Sequence, residues 1–403
     1  MTSTNGESEV QTSFPNLPPF PDDIPTAPLL RLSLAKLMRE GFFSTQTSDT
    51  TATAAPSSAS ESESERLFAA SKQLGFFYLD LRGCSEGEAL LEDADRLFGV
   101  GEELFAGMSP EDKETYDFEK KGSYHGYKGM GKAVVDAKGT LDRNEFYNVS
   151  KDDLLSISKP PLPSPDVLTS NKSVLTRYAT TAHGLTTLIL SHISTHLGLP
   201  ASSDSYLPSF HRINRASGDQ IRFLRAPPPP APRKEDEVSG ATAKGDAALG
   251  AHTDFGSVTI LFNRLGGLQV LMPESASTGS GSGGDTADWR YVRPLPGHAI
   301  VNLGDALVKF SRGALRSNVH RVAAAPGLQK EHTKYSLVYF ARPEEDIILR
   351  PLVGEDQPGE KEVEMTSKEW ILRRALGKRV GNFEKVGWAG TQGTEGGRRG
   401  VVV

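Results

Sequence analysis

Three features predict a mainly β protein, a sandwich or barrel with flanking helices: helical periodicity early in the chain, many short β-prone runs later, and one capped helix near the end. Leu90, Leu91, Ala94, Leu97, Phe98, Leu104 and Phe105 recur at helical spacing, so residues 86–106 read as an amphipathic helix. Residues 74–79 before it read as a buried strand. Val174, Tyr178, Leu185, Leu188, Ile189, Ile193 and Leu197 form a second helical stripe, stopped by Gly198 and Pro200. His192 and His196 lie one turn apart on that helix, but no third ligand accompanies them, so they read as polar-face residues. After Pro208 the pattern changes. Residues 211–214, 220–224, 258–262, 268–271, 291–292, 299–303, 320–323 and 335–340 read as short strands between Gly/Pro turns. Thr366 is placed to cap a helix over 367–376.

Composition bounds the rest. The 403 residues carry a net charge of −6 with both signs interspersed, which gives no basic footprint for nucleic acid. Cys84 is the only cysteine, which excludes an intrachain disulfide and fits a reducing compartment. No apolar run approaches the roughly 20 residues of a membrane span, and the first ten residues do not read as a signal peptide. A cytoplasmic monomer acting on a small molecule is the expectation. Residues 45–65 are rich in Ser, Thr, Ala and Glu and read as a disordered insertion. Residues 226–250 open with four consecutive prolines and read as an exposed loop, residues 274–288 as an extended hairpin loop, and residues 387–400 as a Gly-rich tail.

His252-Thr253-Asp254, with His320 far downstream, carries the chemistry. On a strand, residues i and i+2 face the same way, so His252 and Asp254 can reach one ion together, and His320 completes the set from another segment. Two imidazoles and one carboxylate on one face of an octahedral ion leave three positions open, the ligand field of non-heme Fe(II) oxygenases.

Around this set stand Gly266-Gly267-Leu268-Gln269-Val270, Trp289, Pro294, Gly297, Val301-Asn302-Leu303-Gly304-Asp305, Ser311-Arg312-Gly313, His320-Arg321-Val322 and Lys334-Tyr335-Ser336. In that order the chain resembles the isopenicillin N synthase-like family of 2-oxoglutarate/Fe(II)-dependent dioxygenases. The likeness is dense over residues 252–343 and weaker back to residue 24. It implies a distorted double-stranded β-helix, or jelly-roll, over residues 206–345. Ahead of that lie a flexible segment (1–23) and a helical and strand cover (24–205). Behind it come a helical extension (346–386) and a flexible tail (387–403).

The resemblance implies Fe(II) on His252, Asp254 and His320, with 2-oxoglutarate as cosubstrate and dioxygen as oxidant. Lys334 and Ser336 stand where the family carries Arg-x-Ser for the distal carboxylate of 2-oxoglutarate. The exchange matters, because lysine is a point charge without the planar guanidinium fork. Leu224-Arg225-Ala226-Pro227 replaces a polar Asn-Tyr-Tyr-Pro-like stretch and makes Arg225 a competing anchor. Arg222 matches the family's arginine there and reads as structural. Asn302 and Asp305 read as shaping the metal surroundings, and Arg321 as a buried ion-pair partner. Tyr127, Glu145 and Tyr147 fall where relatives place substrate-facing residues, and Phe255 is placed to wall the pocket. The implied activity is hydroxylation, desaturation or ring closure of a small organic molecule, as in the microbial and especially fungal members of secondary metabolism. Two alternatives remain: an iron oxidase of this fold that does not use 2-oxoglutarate, and a non-catalytic binding protein.

Overall fold

The structure is a computed structural model that describes residues 14–44, 61–229, 248–273, 287–355, 364–383 and 393. β1 (Arg31–Ser33) runs into α1 (Leu34–Ser44), and α2 (Glu63–Gln73) leads to β2 (Phe76–Asp80) and α3 (Ser85–Ala106). After α4 (Pro110–Glu114) come β3 (Gly126–Lys128) and β4 (Glu145–Ser150), then α5 (Lys151–Leu154), α6 (Asp166–Ser170) and the long α7 (Lys172–His196). The strands β5 (Gln220–Ala226), β6 (Leu249–His252), β7 (Val258–Asn263), β8 (Leu268–Leu271), β9 (Trp289–Tyr291) and β10 (His298–Leu303) follow. The short α8 (Asp305–Phe310) precedes β11 (His320–Val322) and β12 (Lys334–Ala341), and α9 (Ser367–Gly377) comes last.

Two sheets face each other. The larger has the order β1-β2-β10-β7-β12-β5-β4-β3, and the smaller β6-β11-β8-β9. Alternation along the strands divides the larger sheet. Val258, Ile260 and Phe262 on β7, Leu337 and Tyr339 on β12, and Ile221 and Phe223 on β5 join the core beneath α3 and α7. Their neighbours Thr259, Leu261 and Asn263, then Lys334, Ser336 and Val338, and Arg222 and Leu224, line a cavity between the sheets. His192 is buried, contacting the Leu37 carbonyl and Ser64, so it ties α7 to the first two helices. Among the described residues no helix is long and apolar enough to cross a membrane.

Several expectations change. The division at residue 205/206 falls inside one sheet, because β1–β2 and β3–β4 extend the larger sheet at its two ends. The insertion expected over 45–65 ends earlier. Residues 45–60 lie outside the described residues, but Ser62 and Glu65 form a capping box that starts α2 at Glu63. Glu63 is buried and accepts from the Ser33 amide at 2.5 Å. Ser62→Ala is expected to cost about 1 kcal/mol of stability, read from denaturant unfolding.

Residues 14–23, expected to be flexible, are held where they are described. Phe20 is buried, with the Arg293 guanidinium 4.9 Å from its ring centroid and Tyr291 edge-on at 6.2 Å. Residues 211–214 form no strand, since Pro208 starts a 3-10 turn (Leu207–Phe210) and His211 is pinned to the Leu207 carbonyl at 2.8 Å and Ser257 Oγ at 2.7 Å. The expected tail, apart from Gly393, and most of the two long loops lie outside the described residues.

Candidate active site

β6 and β11 pair antiparallel with His320 directly opposite His252, bringing the two ring centroids to 4.3 Å. β6 ends at His252, so Asp254 stands in the following loop rather than on the strand. The loop keeps the alternation nonetheless. Asp254 turns toward the histidines, while Thr253 turns away and donates to Asp305 Oδ2 at 3.0 Å. Asp305 secures the turn through its amide, which donates to the Asp254 carbonyl at 2.8 Å. Only glycine fits beside it at 304, where a Cβ would lie 2.2 Å from the Gly256 carbonyl oxygen.

The ligating atoms are left free. His252 Nδ1 bonds the Gly250 carbonyl at 2.8 Å and His320 Nδ1 the Asn318 carbonyl at 3.1 Å, which leaves both Nε2 lone pairs pointing inward. Asp254 Oδ2 accepts from Thr259 Oγ1 and Asn302 Nδ2, each at 2.7 Å, so Oδ1 remains available. Oδ1 lies 3.9 Å from His252 Nε2 and 3.8 Å from His320 Nε2, and one ligand atom from each residue falls within 4.8 Å of the others. Burial works to raise the Asp254 pKa, but the two imidazoles and the Asn302 and Thr259 bonds outweigh it and hold the carboxyl low. Burial, then His320, pushes the His252 imidazole well down, so it is neutral. Two imidazole nitrogens and one carboxylate suit a divalent transition metal. Asn302→Ala is expected to weaken Fe(II) binding about 10- to 100-fold, the usual effect of removing a group that orients a metal ligand. An anaerobic Fe(II) titration checks it.

From the metal end the cavity runs to Lys334 and Ser336. Lys334 is buried, and its one hydrogen bond among the described residues goes to the Leu265 carbonyl at 2.8 Å. Burial alone pushes its pKa down to about 7. Ser336 Oγ donates to Asn263 Oδ1 at 2.6 Å across the β12–β7 pair. An ammonium and a hydroxyl in an otherwise largely apolar hollow can receive a carboxylate. Arg225 is not there. It projects from the opposite face of β5, where Nη1 donates to Glu145 Oε1 at 2.6 Å.

The expected substrate-facing residues share that opposite face. Tyr127 donates to Glu145 Oε2 at 2.6 Å, and Lys113 completes the cluster at 3.3 Å. Tyr147 lines a separate cavity with Leu168 and Leu175. The expectation was one residue out of step on β4, which exchanges the faces of a strand. Phe146 and Asn148 face inward instead. With Tyr124, Arg222, Phe340 and Arg342 they line a second hollow that opens beside His252 and Asp254 and includes the expected Phe255. Arg222 borders both hollows, and this role was missed; its shared parity with Leu224 was the available signal. Arg374 arrives from α9 and pairs with Asp305 at 2.5 Å. Among the described residues Arg321 meets the Gln269 side-chain oxygen at 2.7 Å and the Trp289 ring instead of an acid.

Residues 209–343 match the 2OG-Fe(II) oxygenase superfamily, and residues 47–167 match the family described as non-haem dioxygenase in morphine synthesis N-terminal. A 2-oxoglutarate-dependent dioxygenase of Aspergillus fumigatus is 32% identical over 366 residues, covering 87% of this chain and 86% of the relative. The 2-oxoglutarate-dependent dioxygenase ecdG of Aspergillus rugulosus is 34% identical over 298 residues, covering 72% and 80%. Among solved structures, a Neurospora crassa protein crystallised with α-ketoglutarate and thymine has a TM-score of 0.64 at 20% identity, covering 86% of this chain and 96% of its own. The dioxygenase for auxin oxidation 1 of Arabidopsis thaliana has a TM-score of 0.53 at 18% identity, covering 81% and 98%. These two share the fold, the double-stranded β-helix of the oxygenases. The His252, Asp254 and His320 cluster is where such an enzyme would carry its iron, and the chain belongs to the 2OG-Fe(II) oxygenase superfamily.

Proposed function

We propose that this Fe(II)- and 2-oxoglutarate-dependent oxidoreductase oxidises a C–H bond of a small organic molecule, with hydroxylation as its basic outcome and desaturation or ring closure as variants. It works as a cytoplasmic monomer in secondary metabolism. The observation that carries the reading is the set of three free ligand atoms at one end of a hollow that also holds a buried lysine. When bound, Fe(II) together with 2-oxoglutarate supplies the oxidising chemistry. His252, Asp254 and His320 would hold the metal. Lys334 and Ser336 receive the distal carboxylate of 2-oxoglutarate. Phe76, Leu224, Leu261 and Val338 keep water from the space between. The second hollow, walled by Phe146, Phe255 and Phe340, takes the substrate. The fungal dioxygenases among the relatives, and a matched family described by morphine synthesis, support a role in small-molecule metabolism.

The buried Lys334 disfavours an oxidase that dispenses with 2-oxoglutarate, since no carboxylate among the described residues pairs with it. The free ligand atoms beside an open hollow disfavour a non-catalytic binding protein. The test is oxygen uptake by the Fe(II)-loaded enzyme. Uptake that requires 2-oxoglutarate and yields succinate is the expected result, and uptake without it overturns the reading.

A further inference from the structure

The second hollow is strongly cationic. Lys128, Arg222, Arg342, Arg374, Lys378 and Arg379 line it, whereas its only carboxylate among the described residues is Asp254, one of the three residues that would hold iron. Three of these six cations are paired with carboxylates within the protein. Lys128 pairs with Asp142, Arg374 with Asp305 at 2.5 Å, and Arg379 lies 3.6 Å from Asp117. Arg342 donates to the Gly218 carbonyl, and its backbone amide bonds Asp219.

Among the described residues Arg222, like Arg342, makes no ion pair, and its one hydrogen bond runs from Nε to Asn148 Oδ1 at 2.8 Å, which leaves both Nη groups of its fork available. Its guanidinium carbon lies 4.0 Å from the Phe146 ring centroid and 4.9 Å from that of Phe340. Stacking on aromatic rings fixes the plane of the fork, and the bond to Asn148 fixes its rotation, so the Nη donors are oriented before any ligand arrives. A guanidinium held in this way without a carboxylate is costly unless something else supplies the anion.

We infer that the substrate is a small organic acid with an apolar or aromatic body, and that Arg222 anchors its carboxylate through the two Nη groups while the body lies among Phe146, Phe255 and Phe340 beside the metal ligands. This rests on the oxygenase reading above, because it places 2-oxoglutarate at Lys334 and so leaves Arg222 for the substrate. Arg222 thereby sets specificity: it fixes which carbon of an acid faces the iron, by holding the far end of the molecule at a set distance.

The test uses the full-length enzyme loaded with Fe(II) and 2-oxoglutarate under anaerobic conditions. Benzoate, 3-phenylpropanoate and hexanoate are titrated against their neutral counterparts benzamide, 3-phenylpropanamide and hexanamide. At least one acid is expected to bind about 10- to 100-fold more tightly than its amide, the range of a charge-assisted bond. In Arg222→Met that preference should fall to near equality, while an unchanged circular dichroism spectrum and a cooperative thermal transition report a folded protein. Arg222→Lys should keep part of the preference, because the charge remains and the fork is lost. If no acid outcompetes its amide in the unaltered enzyme, the inference is overturned, whatever the variants do. It is also overturned if Arg222→Met loosens 2-oxoglutarate and leaves the acids untouched, for then Arg222 belongs to the cosubstrate. If 2-oxoglutarate fails to bind the unaltered enzyme, the oxygenase reading falls, and the comparison of acid with amide still decides the anion site.

Discussion

Asp254→Ala is expected to abolish oxygen uptake and to weaken Fe(II) binding by more than the roughly 10- to 100-fold that loss of an orienting neighbour causes. The carboxylate is the only anion in the triad, and Oδ1 is its free atom, 3.9 Å and 3.8 Å from the two imidazole nitrogens. Without it, only two imidazole nitrogens are left to hold a doubly charged ion. The fold should survive, because Asp254 sits in a loop bordering the cavities while the main core lies on the other face of the larger sheet. Some stability is still lost. Asn302 Nδ2 and Thr259 Oγ1 both donate to Oδ2 and would be left without that acceptor, at about 1–3 kcal/mol for each donor that finds no substitute. Anaerobic Fe(II) titration and thermal unfolding separate the two effects. Full turnover by the folded variant would remove Asp254 from the metal.

Lys334→Ala is expected to raise the 2-oxoglutarate requirement about 10- to 100-fold, the equivalent of one lost charge-assisted bond. Lys334→Arg should keep more activity than Ala, although the larger fork crowds a hollow shaped for lysine. Arg225→Ala should leave the requirement unchanged, because its guanidinium is engaged by Glu145 on the other face of β5. A steep rise with Arg225→Ala and none with Lys334→Ala would move the carboxylate elsewhere. Lys334 also predicts a pH dependence. Burial pushes its pKa down to about 7, so the free enzyme loses this ammonium as the pH rises through 7. A bound dianion favours the charged form and raises that pKa, so binding takes up a proton above pH 7. The apparent affinity for 2-oxoglutarate should therefore fall as the pH rises from about 7 toward 9. Proton uptake shows as buffer-dependent heats in calorimetry, and equal heats in all buffers would contradict it.

The parts of the site that were legible depended on local rules. His-x-Asp, and the shared parity of Lys334 and Ser336, need only the period of a strand. The same rule could have settled Arg225. β12 pairs with β5 so that Ser336 lies opposite Leu224, which puts Leu224 and Arg222 on the cavity face and Arg225 on the other. β4 was harder. Tyr147 is buried on one face, while Phe146 and Asn148 line a hollow on the other, so hydrophobicity does not alternate along it and its register could not be read. Arg342 and Arg374 come from segments far apart in the chain, and nothing local marks them as neighbours of the metal. Among the elements, the long helices were clear because their stripes span many turns. β1 and β3 have three residues each, too few to show any period.

The continuity of the larger sheet bears on how the chain reaches this structure. β2 emerges early, yet its antiparallel partner is β10, and β4 waits for β5 beyond the whole of α7. Such non-local pairing makes a chain slow to fold, because loop closure must precede the contacts that repay it. Helices α3 and α7, which pack on each other, have contacts available sooner and can template the sheet's outer face. β1–β2, by contrast, carries an unpaired apolar edge for as long as β10 is unmade. That interval is when aggregation competes with folding. Truncation at the 205/206 division should accordingly release two fragments with open sheet edges, neither of them an independent folding unit.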